Sequence, residues 1–197
     1  MKTKSEKRLI VFFATGLIIT IFSVILFFRG SHIWHFFAGL GMWFIFDYLA
    51  SFYNKNTALQ VFLRDKKKFI NLYLAMVLLG VAIELTGRFI LGLWEYPYYN
   101  GIHETASVFF YPFILFQLRE MYTLVKSKIK TSLISIIVSV IMGVIIWEIP
   151  NLFSMDWIYH IPIVSLEIFN INIIVVLGWA LLILVPNYLY KIVLNKK

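Results

Sequence analysis

Six stretches of about twenty apolar residues, separated by short polar segments, account for almost all of this 197-residue chain. A helix needs roughly 20 residues to cross a hydrocarbon core of about 30 Å. Continuous apolar runs predict helices, because the strands of a membrane barrel would alternate apolar and polar residues. The sequence therefore predicts an all-α, polytopic membrane helix bundle in a single transmembrane domain. The predicted spans are 9–28, 32–53, 69–93, 105–125, 132–150 and 168–190.

The net charge of +8 is distributed unevenly along the chain. Sixteen of the 18 basic residues lie before span one, between spans two and three, around the end of span four or at the end of the chain, and only Arg29 and Arg88 lie toward the other side. The positive-inside rule then predicts a protein of the cell membrane with both termini in the cytoplasm. The charge is thus explained by topology and by attraction to membrane lipid, and nucleic acid is not an expected partner.

The few ionisable residues inside the predicted spans carry most of the functional information, because a charge near the bilayer centre costs about 3 kcal/mol on insertion scales. Glu84 precedes Trp94, a predicted interfacial residue, by ten positions, which places it roughly 15 Å deep. Glu84 and Arg88 are one helical turn apart and are predicted to pair. The other such residues are Asp47, Arg119, Glu120 and Glu148.

Two interpretations of the Glu84–Arg88 pair are open. It is either a neutralised ion pair that holds span three against a neighbouring helix, or a polar site whose acid is available to an apolar substrate. Asp47 and Arg119 are predicted to form a structural pair across the bundle. Glycines and serines at four-residue spacing in spans three and five predict close packing against neighbouring helices. These small residues are Gly80, Gly87, Ser135, Ser139 and Gly143.

No cofactor or metal is indicated by the sequence. The chain contains no cysteine, which excludes thiolate ligands and thiolate catalysis. All four histidines fall on the predicted outer side, and their spacing matches no recognised metal-binding pattern. We therefore predict that the histidines lie at the membrane interface and do not bind a metal. They are His32, His35, His103 and His160.

The most specific internal feature is a pattern that occurs twice, at the outer ends of spans three and five. The first copy consists of Glu84, Trp94, Tyr96 and Pro97, and the second of Glu148, Trp157, Tyr159 and Pro162. The offsets between them are 64, 63, 63 and 65 residues. Aromatic belts and helix stops explain Trp, Tyr and Pro in any outer loop. The alternative is a repeated helical hairpin, with spans one and two as a diverged third copy and both glutamates around one cavity.

The outer loops also supply candidate contacts to a ligand. Their aromatic side chains are suited to hold a flat or polyene-like molecule by stacking and dispersion, and equally to anchor the loops in the interface. The candidate substrate-binding residues are Trp94, Tyr96, Trp157, Tyr159 and His160.

The motif Glu84-x7-Gly92-x-Trp94-x-Tyr96 resembles the small multi-pass membrane enzymes of carotenoid biosynthesis, the lycopene cyclase domain family and the related carotenoid hydratases. The resemblance covers about residues 80–125 and, less clearly, 144–190. In the next helix the chain keeps the proline of that family, Pro112, and lacks the paired acids of the cyclases. The resemblance implies an isoprenoid-binding membrane bundle with Glu84 at the position of the family acid.

Two functions of different classes follow. The first is a binder or acid/base enzyme for an isoprenoid or other apolar lipid in the outer half of the bilayer, with Glu84 as the acid, Arg88 as its electrostatic partner and Glu148 as a second acid. The second is a non-catalytic solute-binding or accessory subunit of a membrane transporter or complex, whose partner membrane protein would supply any energy source. A long apolar tunnel would favour the first, and a hydrated polar pocket the second.

Overall fold

The structure, a computed structural model, describes residues 4–161, 166–168 and 171–195 of the chain. These residues are almost entirely helical, which confirms the all-α prediction. The α4 helix continues directly into one π-helical stretch, Leu85–Ile90. The α-helices are α1 (Lys4–Phe28), α2 (Trp34–Ser51), α3 (Ala58–Arg64), α4 (Lys66–Glu84), α5 (Gly101–Lys128), α6 (Ser132–Ser154) and α7 (Ile173–Asn195).

Within the described ranges, four short strands form two antiparallel pairs. The strand β1 (Trp94–Glu95) pairs with β2 (Ile158–Tyr159), and β3 (Glu167–Ile168) pairs with β4 (Ile171–Asn172). The predicted last span, 168–190, therefore begins too early. Its first residues belong to the β3–β4 pair, and the helix begins only after Asn172, whose side chain accepts a hydrogen bond from the backbone N–H of Ile174 at 2.9 Å.

Among the described residues, four helices are long and apolar enough to cross a membrane. They are Glu6–Phe28, Lys66–Ile90, Ser132–Ser154 and Ile173–Leu194. Large apolar side chains on their outer faces are exposed, for example Ile18 and Leu78 at 69% and 70%. Such surfaces are unsuited to water over this length, so the chain has the character of a membrane protein. The α2 and α5 helices form where spans 32–53 and 105–125 are predicted, but they are not among these four.

The polarity of α5 is explained by its central position. This helix contacts α2, α4, α6 and α7. Leu115, Phe116, Leu118 and Met121 on it are fully buried. Its polar residue Gln117 is also fully buried and accepts a hydrogen bond from the indole N–H of Trp147 at 3.1 Å. An interior helix meets protein instead of lipid, so it tolerates polar residues that a lipid-facing helix would not.

Small residues bring the helices of each hairpin close together, as predicted for Gly80 and Gly143, whereas Gly87 packs against Trp94 of the following loop and not against a neighbouring helix. A Cβ atom on Gly80 would lie 2.8 Å from the ring of Tyr111 on α5, and one on Gly143 would lie 3.2 Å from the ring of Trp179 on α7. In the first hairpin, a Cβ on Gly16 would lie 2.8 Å from the backbone oxygen of Gly41 on α2. Glycine therefore permits the close approach of α1 to α2, α4 to α5 and α6 to α7.

The short helix α3 is held inside the bundle by two buried carboxylates. Asp47 accepts a hydrogen bond from the backbone N–H of Leu59 at 2.8 Å, and Glu120 accepts one from Ala58 at 3.1 Å. Arg119 donates to Glu120 and stacks 3.8 Å over the ring of Tyr190. Asp47 therefore does not form the predicted pair with Arg119, which binds Glu120 instead. The physical reason is that the free N–H groups at the start of α3 attract both Asp47 and Glu120.

Candidate functional site

Glu84 is the last residue of α4, and its carboxylate accepts hydrogen bonds from two aromatic side chains of the following loop. The Tyr96 hydroxyl donates to Oε1 at 2.7 Å, and the Trp94 indole N–H donates to Oε2 at 3.3 Å. The residue is half-buried. The helix-to-loop motif that the sequence singles out is therefore a physical unit, in which the loop folds back onto the helix that precedes it.

Glu148 on α6 repeats this arrangement atom for atom. The Tyr159 hydroxyl donates to its Oε1 at 2.8 Å, and the Trp157 indole N–H donates to its Oε2 at 3.4 Å. A third donor, the indole N–H of Trp179 on α7, reaches Oε1 at 3.0 Å. Glu148 is only 2% exposed.

The backbone turns of the two copies also correspond. Gly92 and Met155 both adopt the left-handed conformation, with φ of 60° and 54°, and each precedes its tryptophan by two residues. Both turns direct the chain from a helix into a strand of the β1–β2 ribbon. Glycine adopts this conformation without strain, and methionine does not. That Met155 tolerates it indicates that the surrounding contacts impose the same turn on the second copy.

The β1–β2 ribbon joins the two copies. Trp94 faces Tyr159, Glu95 faces Ile158, and the His160 N–H donates to the Leu93 carbonyl at 2.8 Å. The structure thus brings both groups of predicted site residues to one end of the bundle. Pro162, the last member of the second copy, lies outside the described residues.

The two copies differ in the ring that covers each glycine and acid. Gly80 and Gly143 are 63 residues apart and precede their glutamates by four and five residues. Tyr111 packs on the first glycine where Trp179 packs on the second. Trp179 donates to Glu148, whereas Glu84 has only the donors Trp94 and Tyr96 among the described residues.

The helix also changes form next to Glu84 and stays regular next to Glu148. Leu85–Ile90 is π-helical, and Gly87 within it lies against Trp94 so closely that a Cβ would overlap the ring, at 1.7 Å. In the second copy, α6 remains α-helical to Ser154. Short π-helical stretches inside helices are frequent at functional sites.

The predicted Glu84–Arg88 ion pair is wrong. Arg88 donates to Glu104 on α5 at 2.9 Å, and its guanidinium carbon lies 5.0 Å from the centre of the Tyr96 ring. The physical reason is the π-helical stretch, which begins after Glu84 and changes the angular spacing that an α-helix would give residues four apart. Arg88 therefore borders the site through Tyr96, while its carboxylate partner is Glu104.

The two tyrosines that bind the glutamates remain protonated donors over a wide pH range. Burial raises the pKa of the Tyr96 phenol well above its usual value, and the neighbouring Glu84 raises it further. Burial and Glu148 raise the pKa of Tyr159 in the same way. Both carboxylates are therefore stabilised by uncharged donors.

The histidines form contacts with protein groups. The Nδ1 atom of His32 lies 2.6 Å from Asp156, and the Nε2 atom of His35 lies 2.5 Å from the Tyr99 hydroxyl. His160, a predicted ligand contact, is exposed and lies 3.2 Å from Glu95 at the ribbon. In the described part of the chain, no group of three or more His, Cys, Asp or Glu side chains is placed to hold a metal ion.

Asp156 was not singled out by the sequence and is fully buried. It accepts a hydrogen bond from the indole N–H of Trp34 on α2 at 2.5 Å, in addition to its contact with His32. This carboxylate attaches the loop after α6 to the start of α2. Its position in an aromatic loop gave no sign of these partners, which precede it by more than 120 residues.

An open recess of about 580 Å³ lies at the same end of the bundle, between the α1–α2 loop and the end of α6. Its walls are largely aromatic, from Phe27, Phe28, Trp34 and Phe153, with His32 at its edge. Neither Glu84 nor Glu148 lines it. The recess is suited to an apolar chain, whereas each acid lies under its own loop.

No family model matches the chain, and no curated protein or solved structure matches it. Its site must therefore be interpreted from its geometry.

Proposed function

We propose that the chain is a six-span cell-membrane protein that binds an isoprenoid or other apolar lipid in the outer half of the bilayer and uses Glu84 as its acid or base. The observation that carries this proposal is the difference between two otherwise matching acids. Glu148 is buried and accepts hydrogen bonds from three side chains. Glu84 is half-buried and accepts hydrogen bonds from two. Of the two, Glu84 retains the capacity to interact with a ligand.

The chemistry available at Glu84 follows from its partners. Donors to the ionised carboxylate favour the charged form, so Trp94 and Tyr96 stabilise the product of proton donation. Aromatic faces also attract positive charge, which develops when a carbon–carbon double bond accepts a proton. Tyr96 and Tyr99 stack at 4.4 Å beside the acid. Proton transfer to or from an unsaturated lipid is therefore the reaction class that this arrangement favours.

Glu148 has a different role in this proposal. Its three donors come from the following loop and from α7, so it fixes the second loop and thereby the β1–β2 ribbon. The ribbon in turn positions Trp94 and its loop above Glu84. Glu148 is then a positioning residue in the second copy of a duplicated hairpin. The first copy contains Glu84, the proposed acid or base.

The proposed topology includes α2 and α5 as spans and places both termini in the cytoplasm. The basic residues after α2, after α5 and at the start of α4 support this orientation. Because the chain lacks cysteine, single-cysteine variants test it directly. Tyr98→Cys should be labelled by an impermeant maleimide from outside the cell, and Lys128→Cys only after permeabilisation. The reverse pattern would overturn the orientation.

The function is tested by comparing two matched variants, Glu84→Gln and Glu148→Gln. The wild-type protein, purified with native lipid and analysed by mass spectrometry, should retain a lipid of the isoprenoid class or another apolar lipid. Glu84→Gln should remain folded and change the amount or the chemical form of that lipid. If neither variant alters the lipid complement of a folded protein, the acid has no part in lipid binding, and a non-catalytic accessory subunit becomes the better explanation.

A further inference from the structure

The opposite end of the bundle contains a second recess, of about 630 Å³, which we call the basic groove. It lies between the second halves of α5 and α7, beside the segment that follows α2. Its lining includes Tyr53, Arg119, Tyr122, Lys126, Tyr188 and Lys191. None of the described residues that line it is acidic.

Arg119 provides the buried charge of the basic groove. It is 6% exposed, donates to Glu120 and stacks on Tyr190. Its Nε has no hydrogen-bond acceptor among the described residues. A buried donor without an acceptor is unfavourable, so the guanidinium has capacity for a further oxygen ligand. The Glu120 oxygen that binds Arg119, Oε1, also accepts the hydrogen bond from the Ala58 N–H at the start of α3.

Lys126 and Lys191 provide the exposed charges. Both side chains are exposed, and neither forms an ion pair in the part of the chain that the structure describes. The groove also contains uncharged hydrogen-bonding groups, among them the side chains of Thr123 and Asn187. Two exposed lysines and a buried arginine that line one recess are suited to an anion with several oxygens.

We propose that the basic groove binds a phosphate-bearing anion, either the headgroup of an anionic lipid or a soluble phosphate. Basic pockets between membrane helices on the cytoplasmic side bind lipid phosphates, because the charges lie at headgroup depth and the neighbouring helices are apolar. The exposed rings of Tyr53 and Tyr188 are suited to the interface at the same depth. The cytoplasmic placement of the groove rests on the proposed orientation. The groove lies at the other end of the bundle from Glu84, so it does not depend on the chemistry proposed there.

Lys126→Ala combined with Lys191→Ala removes two exposed charges and leaves the buried Arg119 in place. The matched control is Lys67→Ala with Lys68→Ala, which removes two exposed lysines at the start of α4, outside the groove. The full-length protein in a neutral detergent is titrated with dioctanoyl phosphatidylglycerol, dioctanoyl phosphatidylcholine and, separately, inorganic pyrophosphate. Bound ligand is counted by native mass spectrometry.

The wild-type protein and the control should bind phosphatidylglycerol or pyrophosphate in preference to phosphatidylcholine, and the groove variant should bind the preferred anion roughly 30-fold more weakly. Preference for phosphatidylglycerol identifies a lipid headgroup, and preference for pyrophosphate identifies a soluble phosphate. Equal binding of the two lipids with no binding of pyrophosphate would overturn the proposal. An equal loss in the control variant would also overturn it, since it would show only a general effect of surface charge.

Discussion

Glu95 and Ile158 occupy equivalent positions in the two copies of the helix-to-loop pattern, 63 residues apart, and they face each other in the β1–β2 ribbon. When a residue faces its own counterpart in an antiparallel pair, a local two-fold axis passes between the two. The axis relates Trp94 to Trp157 and Tyr96 to Tyr159, so each loop binds its own glutamate while it pairs with the other loop. The shared ribbon makes the two sites structurally dependent on each other.

Glu95→Cys combined with Ile158→Cys should form a disulfide, because the Cα atoms of directly opposed residues in antiparallel strands lie about 4.5–5.5 Å apart, within the range of a disulfide. The absence of native cysteine excludes competing pairs. Mild oxidation followed by non-reducing electrophoresis and intact mass measures the product. In the control, Ile161→Cys replaces Ile158→Cys and should remain reduced. Equal oxidation of both pairs would contradict the register.

Glu148→Gln should lower the free energy of unfolding by about 2–3 kcal/mol, because the new amide group directs a donor at one of three buried donors. Glu84→Gln should cost only about 1 kcal/mol, since this residue has two donors and is half-buried. Unfolding in mixed micelles of increasing sodium dodecyl sulfate measures both values. A larger loss for Glu84→Gln than for Glu148→Gln would contradict the assignment of the structural role to Glu148.

The stability of the wild-type protein should fall as the pH rises above about 10. The folded-state pKa values of Tyr96 and Tyr159 are raised above the usual value of 10.0, so above that pH the unfolded chain binds fewer protons than the folded one. This contribution is fully present below pH 10 and is lost as the pH approaches the folded-state values. Unfolding titrations between pH 8 and about 11.5 measure the slope.

Tyr96→Phe and Tyr159→Phe should each reduce that alkaline slope, at a cost of about 1 kcal/mol near neutral pH from the lost hydrogen bond. Tyr98→Phe, at an exposed position of the same loop, is the control. If the alkaline slope is the same in all three variants, the buried phenols are not its origin.

Met155→Gly should stabilise the protein by about 1 kcal/mol, because glycine removes the strain of a positive φ at a position whose side chain is 49% exposed. Gly92→Ala at the equivalent turn should destabilise it by a similar amount. Thermal unfolding in detergent measures both variants. Opposite signs at the two positions are the expected result, and the same sign at both would contradict the equivalence of the turns.

The sequence predicted the features that depend on local pattern. Apolar runs placed the six long helices, and the spacing of Glu84, Trp94 and Tyr96 marked a unit that the structure shows to be hydrogen-bonded. The start of the last span was wrong because the apolar residues near Ile168 continue the helical pattern, although they form a strand pair. Hydropathy measures the free energy of transfer to lipid and does not distinguish an apolar helix from an apolar strand.

The missed features depend on partners far along the chain. The helix α3 is too short to carry a periodic signal, and it is held by Asp47 and Glu120 from other helices. The π-helical stretch, which changes the partner of Arg88, has no reliable sequence marker. The equivalence of Gly80 with Gly143 could have been predicted from the sequence, since their offset of 63 residues matches that of the aromatic residues.

The attachment of α3 has a consequence for the order in which the chain assembles. One of its two carboxylate partners, Glu120, follows Ala58 by 62 residues, so a ribosome must complete most of α5 before that hydrogen bond forms. Until then the N–H groups of Ala58 and its neighbours must be satisfied by water or by the insertion machinery. The connection between the first and second hairpins therefore reaches its final position late, after most of the central helix has been synthesised.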